Sequence, residues 1–397
     1  MSKHILLGIS GGIAAYKSCE LVRLLKKQGY SVTVAMSRAA TEFVTPLTFQ
    51  ALSGNPVLVD THDGHSTRGM SHIDLTREAD VFLIAPATAN TVAKIANGIA
   101  DNLLTNLAAA RKCPMAVAPA MNVEMWNNPA NQRNIQQLIS DDITVFQPSY
   151  GEQACGEIGI GRMPEAVELA DLIHDLWTPK ILAGKKILIT AGATLEMIDP
   201  VRGITNISSG QMGIALARAC RMAGAQVTLI YGQLQTPLPT GLYHVEQAIS
   251  AQEMYDAVHK YIEDQDVFIS VAAVADYKVK NSSLHKLKKE NSKDTPTLEL
   301  EANPDILASV ATLPKSPFCI GFAAESEKVL EYARAKRLRK GIPMLIANDV
   351  SQAMGKSTNQ ITIITDDEEL SFPEKEKLQV AEEIVQSLAR HLDKPDL

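Results

Sequence analysis

A chain of 397 residues is longer than a single hydrophobic core usually organises, so its length points to two domains. A hydrophobic share of 46% beside 21% charged residues describes a globular α/β protein and excludes a disordered or fibrous one. Lys and Arg number 38 against 45 Asp and Glu, and with the acidic excess spread over both halves the chain carries no nucleic-acid footprint.

The first apolar run, residues 5–9 after Met1-Ser2-Lys3-His4, is too short for a signal peptide, and no run reaches membrane-spanning length, so the expected place is the cytoplasm. An amphipathic stretch at 14–28 follows, then apolar runs at 32–36, 81–86, 115–119 and 144–146. Short apolar runs alternating with longer amphipathic ones predict a parallel sheet flanked by helices. The pattern breaks at Trp177-Thr178-Pro179-Lys180 and restarts at Gly184, which divides the chain into domains 1–180 and 184–397. In the second half, strands are predicted at 186–190, 227–231, 267–273, 319–322 and 344–347, a helix at 211–223, and a hairpin from 360–365 and 369–372. Segment 281–297 is almost free of apolar residues and reads as a long loop with a function. The basic runs 285–289 and 334–340 are either solvated surface or a site for a small polyanion. Cys19, Cys113, Cys155, Cys220 and Cys319 show no CxxC spacing, which argues against a zinc site or a disulfide framework.

Motifs follow the strands. Ser10-Gly11-Gly12 makes a tight turn after the first strand, with backbone amides and the Ser10 hydroxyl facing a phosphate at the helix N-terminus. Taken alone it is equally a close-packed strand-to-helix turn, and it is not the GxGxxG of a nicotinamide-dependent oxidoreductase. Pro86-Ala87-Thr88-Ala89-Asn90 offers either a ligand loop or a helix cap through Thr88 or Asn90. Residues 97–102 and Pro119-Ala120-Met121-Asn122 add two further polar loops, which an open α/β sheet gathers at its carboxyl edge. Segment 151–162 holds Cys155 among glycines and reads as a flap over a ligand.

These segments, with His72 in Met70-Ser71-His72-Ile73, resemble the flavin-dependent cysteine decarboxylase family over essentially the whole first domain. The resemblance implies a flavodoxin-like flavoprotein domain with FMN bound between subunits, near His72 and Asn122. It implies cofactor contacts from Ser10, Gly11, Gly12, Ser37, Ala87, Thr88, Asn90, Ala100 and Asp101, and a substrate contact from Met121. Loss of CO2 from an N-acyl cysteine leaves a carbanion with no sink, whereas oxidising the thiol to a thioaldehyde places a C=S group β to the carboxylate and supplies one. On this reading His72 acts as acid/base, Asn122 grips the carboxylate, and Cys155 returns the proton.

The second domain has its own turn after its first strand, Ala191-Gly192-Ala193-Thr194, followed by the long connection DPVRxIxNxSSGxMG from Asp199 to Gly213. Ser208, Ser209 and Gly210 read as an N-cap region. Then come Ala272-Ala273-Val274-Ala275-Asp276-Tyr277, Lys286-Leu287-Lys288-Lys289, Asn303-Pro304-Asp305-Ile306 and Gly321-Phe322-Ala323-Ala324-Glu325, with Lys336 and Lys340 four apart on a predicted helix. This half resembles the CTP-dependent bacterial phosphopantothenate–cysteine ligases, which implies a Rossmann-like, three-layer domain. The resemblance gives CTP contacts to Ala273, Asp276, Lys286, Asn303, Pro304, Asp305, Ile306, Phe322, Lys336 and Lys340, and places Asn206 at the acyl group. Gln211 stands where the ligases have a lysine in SSGKMG, and Ala193 with Leu195 depart from their GPTRE wording, so a phosphate contact is weakened or supplied elsewhere. Together the halves resemble the bifunctional coenzyme A biosynthesis family, which implies 4'-phosphopantothenate, cysteine and CTP as substrates, Mg2+ with the nucleotide, and a homo-oligomer with trimeric decarboxylase and dimeric ligase contacts. A non-catalytic FMN-binding regulatory protein would be expected to lack both Cys155 and the second half.

Overall fold

The structure is a computed structural model that describes residues 3–59, 71–287, 297–325, 327–349 and 356–393, without the side chains at 71–74. The chain divides into two compact units, Met1–Thr178 and Pro179–Leu397.

In the first unit the apolar runs form a parallel sheet: β1 (His4–Ile9), β2 (Ser31–Met36), β3 (Leu58–Val59), β4 (Val81–Ala87), β5 (Met115–Pro119) and β6 (Ile143–Val145). Their order is β3-β2-β1-β4-β5-β6. Apart from the two-residue edge strand β3, this is the flavodoxin-like order, with its reversal between β1 and β4. Because strand side chains alternate, β1 feeds two cores. Ile5, Leu7 and Ile9 pack with Leu21, Val22 and Leu25 of α1 (Ala15–Lys27), while Leu6 joins Phe82 and Ile84 on the opposite side. That side is covered by α5 (Leu103–Ala110) through Leu104 and Leu107 and by α7 (Pro129–Ser140) through Ile135 and Leu138. Between them along the chain lie α2 (Pro46–Ser53), α3 (Ser71–Glu78), α4 (Ala89–Ala96) and α6 (Val123–Asn127). A small antiparallel hairpin, β7 (Ser149–Glu152) with β8 (Ile158–Arg162), precedes α8 (Ala166–Leu172). Each fully buried Leu or Ile in these layers contributes about 1.5–3 kcal/mol, which is why the apolar runs, rather than the loops, fix the architecture.

The second unit repeats the plan with a larger sheet. The parallel strands are β9 (Lys186–Ala191), β12 (Gln226–Tyr231), β13 (His244–Gln247), β14 (Val267–Ser270), β17 (Phe318–Glu325) and β18 (Met344–Asp349). The antiparallel pair β19 (Thr358–Ile364) and β20 (Glu369–Glu376) extends one edge, giving the order β13-β12-β9-β14-β17-β18-β19-β20. Its reversal lies between β9 and β14, the Rossmann-like arrangement. Ile187 and Ile189 face Leu216 and Cys220 of α9 (Gln211–Met222) and Ile384 and Leu388 of α13 (Lys377–Leu392). Leu188 and Phe268 face Met254 and Val258 of α10 (Ala251–Tyr261) and Val310 of α11 (Ile306–Ala311). Two hairpins stand outside the sheet, β10 (Leu195–Asp199) with β11 (Arg202–Thr205) and β15 (Tyr277–Val279) with β16 (Leu300–Ala302). Helix α12 (Val329–Lys340) carries Lys336 and Lys340.

The strand predicted at 267–273 ends at Ser270. From Val271 the chain leaves the sheet, and Ala273 makes only an isolated bridge to Ala193, because the segment has turned to line a cavity. Of the predicted loop 281–297, residues 288–296 lie outside the described residues, Lys288 and Lys289 among them. No helix among the described residues is long and apolar enough to cross a membrane.

Candidate functional site

In the first unit the reversal point is closed by Ser10. Its hydroxyl is buried, donates to the Pro86 carbonyl at 2.7 Å and accepts from the Thr88 N–H at 2.9 Å, tying the end of β1 to the end of β4. This corrects the expectation that the Ser10 hydroxyl faces a ligand: the residue is buried and its single O–H is committed to the Pro86 carbonyl. The turn instead presents the N–H groups of Gly11, Gly12 and Ile13, which find no acceptor among the described residues. A Cβ at Gly11 would stand 2.5 Å from the Ala39 Cβ, so only glycine lets the turns after β1 and β2 approach this closely. Ser37 ends β2 and caps the short helix Arg38–Glu42 by accepting from Ala40 N–H, and Thr88 caps α4 by accepting from Thr91 N–H. Ala87 is buried at the end of β4, and Asn90 is exposed on the first turn of α4. Ala100 is exposed, and the Asp101 carboxylate, which Lys94 holds below its usual range, is bound by that lysine at 2.8 Å. Uncommitted amides beside helix N-termini at a reversal point fit a phosphate.

Further along the same carboxyl edge, after β5, Asn122 caps α6 by accepting from Glu124 N–H at 2.8 Å. Its side-chain NH2 points to the β7–β8 turn, where it lies 3.5 Å from Cys155 Sγ and donates to a Glu157 carboxylate oxygen. Gln153 holds the turn in place, its Oε1 accepting from Val123 N–H at 3.0 Å and from Asn122 at 3.3 Å. Met121 N–H donates to the Gly161 carbonyl at 2.9 Å, and a Cβ on Gly161 would meet the Met121 carbonyl oxygen at 2.3 Å. The segment read as a flap is therefore a hairpin docked on the Met121-Asn122 turn, and it brings Cys155 to Asn122. His72 lies on α3, but its side chain is outside the described residues.

In the second unit Gly192 and Gly210 both adopt positive φ, +79° and +73°, and a Cβ on Gly210 would sit 3.2 Å from the Gly192 Cα. The two ends of the long connection thus meet at the reversal point. Thr194 stitches it to the neighbouring strand exit, its N–H donating to the Ala273 carbonyl and its hydroxyl accepting from Ala275 N–H. The N-cap falls in the expected region, at Gly210, but no side chain caps the helix: Ser208 Oγ accepts from the Gly210 N–H. Among the described residues the N–H groups of Gln211, Met212 and Gly213 find no acceptor, and they lie at the wall of a cavity of about 500 Å3.

That cavity adjoins another of about 340 Å3, and both are lined by Asp276, Phe322 and Lys336. The smaller one gathers Asn303, Pro304, Asp305, Ile306 and Lys340. Asn303 Nδ2 donates to the Ala275 carbonyl at 2.9 Å, while its Oδ1 is buried without a partner, an acceptor awaiting a donor. Lys336 donates to the Phe322 carbonyl at 2.8 Å, and burial pushes its ammonium below the usual lysine range against the pull of Glu325. Lys340 pairs with the Asp305 carboxylate, which also caps α11. The larger cavity takes Ala273 and Asn206, whose Nδ2 donates to the Val274 carbonyl at 3.0 Å. Lys286 is exposed and lines neither cavity, but its neighbour Leu287 is docked: Leu287 N–H donates to Asp199 at 3.1 Å, and Arg202 donates to the Leu287 carbonyl at 2.9 Å.

Comparison with known proteins assigns both units. The family described as Flavoprotein matches residues 1–178, and the DNA/pantothenate metabolism flavoprotein C-terminal domain matches 182–392. The Coenzyme A biosynthesis bifunctional protein CoaBC of Vibrio cholerae is 48% identical over 375 residues, 94% of each chain, and that of Bacillus subtilis 42% identical over 395 residues, 98% of this chain and 97% of the relative. The chain belongs to the bifunctional coenzyme A biosynthesis protein family. A solved C-terminal domain of a CoaBC protein is 38% identical, with a TM-score of 0.46, and covers 54% of this chain and 98% of its own.

Several residues at this family member's candidate sites escape a reading by motif. Gln153 and Glu157 stand within the Cys155 segment and reveal their contacts with Asn122 only once the hairpin folds back. Asn348, Asn359 and Lys377 reach the larger cavity from β18, β19 and the start of α13, far along the chain from Gln211. No spacing in the sequence connects them.

Proposed function

We propose that the second unit joins 4'-phosphopantothenate to cysteine at the expense of CTP, and that the first decarboxylates the resulting phosphopantothenoylcysteine to 4'-phosphopantetheine with FMN as cofactor. The observation that carries this reading is the pair of adjoining cavities at the second unit's reversal point, in a chain whose family over nearly its whole length is the bifunctional one. The protein works in the cytoplasm as a homo-oligomer, with trimeric contacts through the first unit and dimeric ones through the second. Exposed Ile13 in the cradling turn, with exposed Phe43 after the helix that Ser37 caps and Ile99 past the end of α4, supports contact with another subunit through this unit, since such apolar side chains suit burial.

In ligation, a carboxylate oxygen of phosphopantothenate attacks the α-phosphate of CTP, a P–O bond forms, and pyrophosphate leaves. The cysteine amine then attacks the acyl carbon, forming C–N as CMP departs and the amine loses a proton. The free N–H groups at the start of α9 and the Lys336 ammonium offset the charge that develops on phosphate. Asn303, with its unpartnered Oδ1, suits a donor edge such as a base amine, and Asn206 stands at the wall where the acyl group would lie. Mg2+ carried with the nucleotide would offset part of that charge.

In decarboxylation, the Gly11, Gly12 and Ile13 amides would hold the phosphate of FMN, and the bound flavin would supply two-electron oxidation of the substrate thiol and the later return of a hydride. Asn122 Nδ2 holds the substrate carboxylate, in the position where the Glu157 carboxylate now accepts its hydrogen bond. The Cys155 thiol delivers the proton and regains it from solvent, and His72 serves as acid/base toward the substrate.

The purified chain should be yellow and should release pyrophosphate and CO2 from CTP, cysteine and phosphopantothenate. A colourless protein without CTP-dependent turnover would sink the proposal. Cys155→Ser should keep pyrophosphate release and stall the decarboxylation after CO2 loss; a fully active variant would remove Cys155 as proton donor.

A further inference from the structure

Lys377 opens α13 and projects to the N-terminus of α9. Its Nζ donates to Gln211 Oε1 at 3.2 Å and to the Lys356 carbonyl at 2.5 Å, both neutral acceptors. Gln211 and Lys377 line the larger cavity together, and the N–H groups of Gln211, Met212 and Gly213 open onto the same wall with no acceptor among the described residues. A half-buried ammonium beside the positive end of a helix dipole is a poor arrangement unless an anion completes it. Burial depresses the ammonium's pKa, with Glu376 only partly opposing. Asn359 adds an independent sign: this cavity-lining side chain is 4% exposed, and its Oδ1 is buried without a partner among the described residues. Its one bond is from Nδ2 to Met212 Sδ at 3.9 Å. At a terminal amide the O and N positions are interchangeable by rotation, so Asn359 can offer either a donor or an acceptor to a ligand here.

We propose that Lys377, positioned by Gln211 at the start of α9, binds a phosphate group of a ligation substrate. The inference rests on the second unit being the ligase. Two phosphates meet the chemistry: the polyphosphate of the nucleotide and the phosphate monoester of the acyl substrate. Lys377→Gln removes the charge at nearly constant length. It should raise the KM of one phosphate-bearing substrate roughly ten- to hundredfold, as loss of a charged hydrogen bond does, and leave the KM of cysteine unchanged. A rise for CTP assigns the polyphosphate. A rise for phosphopantothenate, together with equal turnover of unphosphorylated pantothenate by both chains, assigns the monoester.

Because Gln211 Oε1 lies beside the ammonium, Gln211→Lys placed in the Lys377→Gln chain returns a cation to the same wall and should recover most of the loss. A merely structural role for Lys377 would give no such rescue. Equilibrium binding of CTP, of phosphopantothenate and of inorganic tripolyphosphate to the wild-type and variant chains supplies a readout that needs no turnover. Weaker binding of any of these anions by the variant supports the assignment, even if the wild-type chain proves not to consume CTP and the ligase reading itself fails. Unchanged binding of all three, unchanged KM values, or an equal rise for cysteine overturns it.

Discussion

The Asp199 carboxylate is fully covered, and it accepts from the N–H groups of Val201, Arg202 and Leu287 and from the Arg202 guanidinium. It thereby fastens the β10–β11 turn to the chain beside Lys286. Hydrogen bonds from Arg202 and from the backbone hold its carboxyl well below the usual carboxylate range, against the opposing effect of burial. Since the folded-state pKa is depressed, the stabilisation is complete above the unfolded value of about 4 and is lost as pH falls through the lower folded value. Asp199→Asn should therefore be less resistant to urea than the parent at pH 7, with the gap closing as the pH drops below about 4; a gap independent of pH would show that charge is not what holds the turn. At neutral pH the same variant should lose ligation while keeping decarboxylation, because the Lys286 segment would be released from its dock. Nothing in DPVR announces this partner at Leu287, for the pairing exists only after the two loops meet.

At the scale of elements, Ser10 decides how β1 and β4 end. Ser10→Ala leaves the Thr88 N–H without an acceptor at the start of α4, a cost of about 1–3 kcal/mol for a buried donor. The expected result is a lower melting temperature for the first unit and easier loss of flavin, read from absorbance after dialysis; flavin retained as tightly as in the parent would contradict the account of the cradle. The strands themselves are legible in the sequence because they are buried on both faces and so appear as near-continuous apolar runs. Their ends are less so. Residues 271–273 are as apolar as a strand yet leave the sheet, since their backbone is recruited by Gly192, Ala193 and Thr194 rather than by a neighbouring strand. Likewise Ser208 and Ser209 are good capping residues on propensity, but the positive φ of Gly210 turns the chain so that neither hydroxyl reaches the first helical amides. Local chemistry proposes such termini, and the close approach of two glycines from distant positions settles them.

At the scale of the whole molecule, the larger unit closes its sheet between α9 with α13 on one face and α10 with α11 on the other, and the smaller one between α1 with α8 and α5 with α7. The two units have separate cores, so a ligand held by one unit should act on the stability of that unit alone. A ligand at about 100 times its Kd stabilises the state that binds it by about 2.7 kcal/mol, which for units of this size is roughly 5–11 °C in melting temperature. Calorimetry on the flavin-stripped chain should resolve two transitions. Added FMN should move one of them by that amount and CTP the other, each with little effect on its companion. A single transition that both ligands shift together would instead mean that the units unfold as one cooperative body, and Cys155 and Asn206 variants would then have to be read for stability before any loss of activity could be assigned to chemistry.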